Sequence, residues 1–502
     1  MEFYLGLNPK KIKSLSPIAK LFNSDKKRSY AGASYNRFTQ DWQSSGNSAN
    51  TEIFSSLRTL RNRSRELARN NTHVKAAIDY LVNSTVGTGT NFQSKVPNKR
   101  GNKLNDSLNA QIEKEWNHWA KNCDVSGKLN FSFIERLCFR AVVESGEVII
   151  RKIYEKHNKS RIPLAFEIIE ADQLADDYCN KVSSNGNRII MGVEVDRWGK
   201  PVAYWIRPQH PGDLYSSGGT IASPERISAD EIIHVFLCDR PGQVRGVPWV
   251  YSSMAKLRSL DQYEEALIEK ARIEANIAVY MKSPTPEVFQ DVNRDPNAAD
   301  VQIPRGVIRQ LAPGEEPVFN PSPAPNSSAV DFIKAVSKHI SVGIGTLYQH
   351  VTGDYSDTNY ATMRVAKLDL MPKIRANQAF FLSSFHEKFF TDWMEKAVLS
   401  NLLSINDFAQ NPDFYLCQKF KVTGVQLQDP DKEAKAYEKL YELGVITRGY
   451  ICNEVTGGDY EEVMSEKANE MFVINAKYGF NPDGTPKNEQ SQITENTTDP
   501  IS

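Results

Sequence analysis

The strongest constraint on this fold is a rigid turn that runs straight into one very long amphipathic segment. Pro241-Gly-Gln-Val-Arg-Gly-Val-Pro248 is followed by apolar or aromatic residues at Val250, Met254, Leu257, Leu260, Tyr263, Leu267, Ala271, Ile273, Ile277 and Met281, a helical repeat. At about 1.5 Å per residue, a helix over 250–281 spans ~50 Å, more than the width of a small domain. Pro248 suits a first helical turn, where no amide donor is needed, and Pro284 with Pro286 enforces a stop. An ordinary buried helix would carry the same stripe, so the pattern fixes a length and not a partner.

A chain of 502 residues that is 40% hydrophobic and 24% charged can bury a large core divided among several units. Its 61 Lys and Arg balance 61 Asp and Glu. Proteins that hold DNA by phosphate contacts carry a basic excess, because that affinity comes from released counterions, so tight sequence-neutral DNA binding is not expected. Cys123, Cys138, Cys179, Cys238, Cys417 and Cys452 form no CxxC pair and read as reduced, mostly buried thiols of an intracellular protein. The N-terminus breaks its apolar run too early for a signal peptide, and no stretch is long and apolar enough to span a bilayer.

Residues 1–50, with Lys10, Lys11, Lys13, Lys20, Lys26, Lys27 and Arg28 among polar residues, read as a flexible basic arm. Helical periodicity runs from Ser55 to Val86, where Gly87-Thr-Gly89 ends it, then over 105–120 and 131–143. Strand patterns occupy 147–154 and much of 165–237, including a hairpin of 189–195 with 202–206. After the long helix, 282–328 is rich in proline, 331–347 is helical, and 349–359 is polar and suits an irregular, mobile loop. A long helix over 361–399 should kink at Pro372; shorter helices fill 429–444, 447–457 and 459–477, and the tail 479–502 is too polar to pack. The fold class is mixed, mainly α with smaller β parts.

Catalytic chemistry finds little purchase. The eight histidines stand singly, without ligand spacing, and His234 in its alternating strand reads as a structural or interface residue. Asp176-Asp177 lies beside polar turns and reads as solvated; Gly87-Thr-Gly89 lacks the residues of a phosphate loop. No catalytic residue, cofactor site or metal site is assigned. Arg58, Arg61, Arg63, Arg65, Arg69 and Lys75 could face nucleic acid, but at helical spacing they suit ion pairs between subunits better.

Four segments together carry a resemblance. Leu60-Arg-Asn-Arg-Ser-Arg-Glu-Leu-Ala-Arg-Asn-Asn71 with Val86-Gly-Thr-Gly89, Arg240-Pro-Gly-Gln-Val-Arg-Gly-Val-Pro-Trp249 with Leu260-Asp-Gln-Tyr263, Asp354-Tyr-Ser-Asp-Thr-Asn-Tyr360 with Arg364, and Asp429-Pro-Asp-Lys-Glu-Ala434 with Gly444-Val-Ile-Thr447 follow one another in order. The set resembles the portal proteins of tailed bacteriophages, lambda family.

That resemblance implies a subunit of wing, stem, clip and crown regions in a homo-oligomeric ring of about twelve copies, through which double-stranded DNA passes without sequence specificity. It implies a virion protein assembled in the host bacterial cytoplasm, with a terminase packaging motor, head-completion or adaptor proteins, and major capsid or scaffolding protein as partners, and no membrane. The corresponding regions are the arm 1–50, wing 51–249, stem helix 250–281, clip 282–328, second stem helix 329–348, tunnel loop 349–360, kinked wing helix with its following segment 361–428, crown 429–478 and tail 479–502. His350, Thr352, Asp354, Ser356 and Asp357 would face DNA; Arg61, Arg65, Arg69, Arg245, Trp249 and Tyr263 would lie at subunit interfaces. The loop has no Lys or Arg, as suits a passage where strong phosphate contacts would hinder sliding. The competing readings are a soluble hydrolase or DNA-processing enzyme with unrecognised catalytic groups, and a head-tail adaptor or minor capsid protein.

Overall fold

The computed structural model describes residues 37, 44–99, 104–179, 181–213, 222–276, 280–282, 316–318, 327–422, 430–456 and 460–478. Nearly all of the basic arm, most of the clip and the whole tail lie outside this set.

Two helices open the described chain. Helix α1, Ala49–Asn70, begins at an Ser48 cap, inside the expected arm, because Asn50 is already tied down: its side chain donates to Gly242 O at 2.8 Å and accepts from Val244 N at 3.1 Å. The single helix expected over 55–86 is two. Asn71 takes an extended backbone, and its side chain accepts from Val74 N at 2.9 Å, capping α2, Thr72–Thr85. Helices α3, Asp106–Ala120, and α4, Phe131–Ser145, follow the expected periods, each started by an asparagine cap.

Among the described residues, the strands between 147 and 236 form two sheets. Strands β2, Glu147–Ile153, β3, Ala165–Ile169, and β9, Ile232–Phe236, pair antiparallel with β2 central, so β2 is buried on both faces. A five-stranded meander runs β4 Lys181–Val182, β5 Arg188–Ile190, β6 Val193–Val195, β7 Pro201–Ile206 and β8 Glu225–Ser228. The strand expected across 189–195 is folded in half, because Met191 and Gly192 both take positive φ, 48° and 83°, and make a two-residue turn. One pairing was not expected: β1, Thr90–Ser94, joins β12, Gln418–Val422, more than 300 residues away.

The larger core is dense in aromatic rings. Trp116 and Trp119 of α3 meet Phe131 and Phe389, with Phe92 and Phe420 of the β1–β12 pair on one side and Trp393 on another. The C-terminal contribution comes from α8, Tyr360–Phe381, which continues through Pro372, a π turn at Leu382–His386 and α9, Glu387–Leu399. Only two of the six cysteines are buried, Cys123 and Cys138, and Cys238 is exposed.

The long helix is shorter than its stripe. Helix α5 is Met254–Asn276, preceded by turns over 249–253. Pro248 does not start it, because the next amide, Trp249 N, is taken by Val143 O at 3.0 Å, and Ser252 and Ser253 donate to Gly343 O and Ile340 O of the return helix. At the far end Tyr280–Lys282 is a strand, paired with Glu316–Val318, so Met281 is not helical; aromatic and β-branched residues favour that conformation. Val250, Met254, Leu257 and Leu260 are buried, but Tyr263 and Leu267 are only partly covered and Ala271 is exposed. The stripe therefore leaves the subunit core partway along. The return helix, α6, is Ser327–Ile344, and helices α11, Pro430–Glu442, α12, Arg448–Thr456, and α13, Tyr460–Tyr478, occupy the expected crown, with α10 the short Pro412–Tyr415.

Candidate channel segment and its charged supports

The turn before α5 is held by a buried charge hub. Glu147, fully buried at the start of β2, accepts from Arg245 Nε at 2.8 Å and Arg245 Nη2 at 2.6 Å, from Arg61 Nη2 at 2.9 Å, from His234 Nε2 at 3.0 Å and from the Gly246 amide at 2.9 Å. Arg245 also donates to Met191 O and Ala171 O. Arg61 reaches on to Asp172, which Arg65 pairs with at 2.6 Å. Three chain segments thus converge on the carboxylate of a fourth.

Close backbone approach permits this. Gly146, at φ 91° after α4, would put a Cβ 2.4 Å from Val247 C, and a Cβ on Gly246 would lie 2.1 Å from Gly146 O. Neither position admits a side chain. Burial alone would raise the Glu147 carboxyl, but Arg245, the His234 hydrogen bond and Arg61 outweigh it and hold the acid well below the carboxylate range. With Glu147 already facing two guanidiniums, burial wins at His234 and holds its pKa below the ordinary imidazole value.

Arg61 and Arg245 were expected at a subunit interface. At 2% and 0% exposure inside one chain they cannot reach a neighbour, and their partner is Glu147. Arg65 is mostly covered by its pairs with Asp172 and Glu170, while Arg69 is exposed. Trp249 is half-buried edge-on to Phe139, and Tyr263 stands edge-on to Phe332 at 5.2 Å, bridging α5 and α6. Asp176 and Asp177, read as solvated, are held by Arg58 and Arg207. Asn71 Nδ2 donates to Asp261 Oδ1 at 2.6 Å, so the first and second sequence signatures touch at the base of α5.

The segment after α6 is more structured than an irregular loop. Gly345, at φ 87°, ends α6; Tyr348–Thr352 forms one helical turn, α7, and Gly353, at φ 70°, ends it. Val351 is buried, and the His350 ring stacks on Tyr80 of α2 at 3.7 Å. Of the residues expected to face DNA, His350 therefore rests on α2, and its pKa is lowered by burial and then by Lys367. Thr352 bonds within the turn, to Tyr348 O.

Asp354 organises what remains. Its Oδ1 accepts from the Ser356 amide at 3.0 Å and hydroxyl at 2.6 Å, and its Oδ2 from Tyr348 OH at 2.9 Å. Ser356 and Tyr348 thereby hold the Asp354 carboxyl below its ordinary range. Lys334 of α6 lies 2.9 Å from Asp357 and 3.7 Å from Asp354. The segment lacks a cation in sequence but receives one in space. Asn359 closes it by capping α8, accepting from Thr362 N at 2.8 Å.

Glu147 and Lys334 were missed from sequence. The signal for Glu147 was an acid opening the apolar run Glu147-Val-Ile-Ile150; Lys334 gave none, since its partners lie about 20 residues later. Among the described residues, one group of three metal-ligating side chains occurs, Glu170, Asp172 and His210. Arg65 already binds both carboxylates, which opposes a cation there.

A sequence profile described as "Phage portal protein, lambda family" matches residues 35–378. The chain is 30% identical over 390 residues to the "Probable portal protein" of Halomonas phage phiHAP-1, covering 75% of this chain and 74% of that one. It is 20% identical over 486 residues to the "Portal protein" of Escherichia phage N15, covering 90% and 91%, and 19% identical over 482 residues to "Portal protein B" of Escherichia phage lambda, covering 88% of each. Among solved structures it is similar to a chain of "Neck of empty GTA particle computed with C6 symmetry", with a TM-score of 0.45, 12% identity and coverage of 79% of this chain and 92% of that one.

Proposed function

The chain belongs to the lambda family of phage portal proteins, and from that premise we propose that it assembles into a ring of about twelve copies at one capsid vertex. The ring forms the channel for packaging and ejecting double-stranded DNA and joins head to tail. The observation that carries this reading is the convergence of separated family signatures on the root of the α5–α6 pair: Arg61 and Arg245 meet on Glu147, and Asn71 holds Asp261. A joint that rigid suits a helix pair whose outer apolar stripe needs neighbours.

In this reading α5 and α6 are the stem, and 282–328 is the clip that meets the terminase motor and later the head-completion proteins. Capsid or scaffolding protein surrounds the wing. The subunit acts as a structural part of the virion, with translocation energy supplied by the motor. The segment 353–359 faces the channel and presents Asp354, Ser356 and Asp357, with Lys334 behind the two aspartates. A lining with no excess of cations lets phosphates pass without a deep well.

Electron microscopy of the purified full chain should show rings; a chain that stays monomeric at every concentration would defeat the proposal. Within assembled particles, Asp354→Lys with Asp357→Lys should slow DNA packaging severalfold, because the lining becomes a phosphate trap. An unchanged packaging rate would mean that this segment does not face DNA.

A further inference from the structure

We propose that the groove between α5 and α6 is filled by the free face of α8 from a second copy of this chain. The proposal rests on the ring reading above and assigns one of its contacts. The groove holds about 360 Å³ and is lined by Lys256, Ser259, Leu260, Phe332, Val336 and His339. Leu260 forms its buried floor, whereas Phe332 is 52% exposed despite its contact with Tyr263. The lining is mainly apolar, with Lys256 as its one fixed cation.

A matching ridge lies on α8. That helix buries Leu370, Ile374 and Phe381 against its own subunit. On the other side Val365 is 59% and Leu368 61% exposed, and Ala361, Asp369 and Pro372 are exposed with them. Spacings of three, four and seven residues put these on one face. Asp369 is the acid within this stripe; Lys373, at its end, lies over Gly345 of its own chain.

Shape and charge agree. The apolar part of the ridge, 365 to 372, and the groove wall, 332 to 339, each rise about 10 Å. An apolar ridge carrying Asp369 complements an apolar groove carrying Lys256, which fixes both register and partner. Because groove and ridge are different surfaces of one chain, their contact is head-to-tail, repeats from copy to copy, and closes where the rotation allows.

The test is disulfide trapping in the full chain with the exposed Cys238 replaced by serine. Ser259→Cys combined with Leu368→Cys should give, on oxidation, a ladder of covalent oligomers that neither single variant gives. Lys256→Glu should reduce the ladder at least about tenfold through like-charge contact with Asp369, and adding Asp369→Lys should restore it. Rings seen by microscopy without a ladder would overturn this contact while leaving the ring reading intact. A cross-link confined to monomers would show that the chain fills its own groove, and also overturns the proposal. Absence of any oligomer would remove the ring reading and this contact together.

Discussion

The Glu147 hub and the Asp354 cluster use the same kinds of side chain to opposite ends. Both tie one segment to another through carboxylates and cations. Around Glu147 the partners Arg61 and Arg245 are at most 2% exposed, whereas Lys334 and Asp357 keep 27% and 74% of their side-chain surface. Desolvation separates the cases. A buried ion set is costly to leave incomplete, so it behaves as a lock; an exposed set is screened by water and salt, so it orders a segment without stabilising the fold much.

Removing the anion from the lock should have the largest effect. Glu147→Gln leaves two buried guanidiniums without their carboxylate and should cost about 3–5 kcal/mol in chemical denaturation. A loss no greater than that of a surface substitution would erase the contrast between the regions.

Acid should act next. The folded-state pKa of His234 is lowered, so its stabilisation is complete above the unfolded value of about 6.5 and is lost as pH falls below it, at up to ~1.4 kcal/mol per pH unit. The Glu147 pKa is also lowered, so its contribution persists until pH drops below about 4.5. Between those values the fall comes from His234, which binds a proton more readily in the unfolded chain than in the fold. His234→Gln, which keeps a donor for Glu147, should flatten the fall in stability measured between pH 6.5 and 4.5; an unaltered slope would mean that His234 is charged in the fold.

The smallest global effect belongs to the exposed cluster. Lys334→Ala should leave the denaturation midpoint where it is, in low or high salt, yet speed hydrogen exchange across 353–359. A clear drop in midpoint would show that this segment, too, is a structural lock.

Much of the architecture was legible because local rules agreed with it. Asn105, Asn130 and Asn359 cap helices where a polar residue precedes a periodic run, and Gly444 follows the end of α11. Local rules failed where tertiary partners took over. Asn71 broke one expected helix by capping the next and binding Asp261. Trp249 gave its amide to Val143 and delayed the start of α5. The interface assignment of Arg61 and Arg245 failed because arginine spacing on a helix reveals a charged face but not what lies across from it.

The sequence by itself determined the class of fold, the place of most of its helices and the family, because periodicity, caps and ordered signatures are properties of neighbours along the chain. Only the tertiary structure decided which charges are locked inside and which stay wet. That depends on distant segments such as Glu147 and Arg245, or Lys334 and Asp357, meeting in space, and on how much water is expelled when they do.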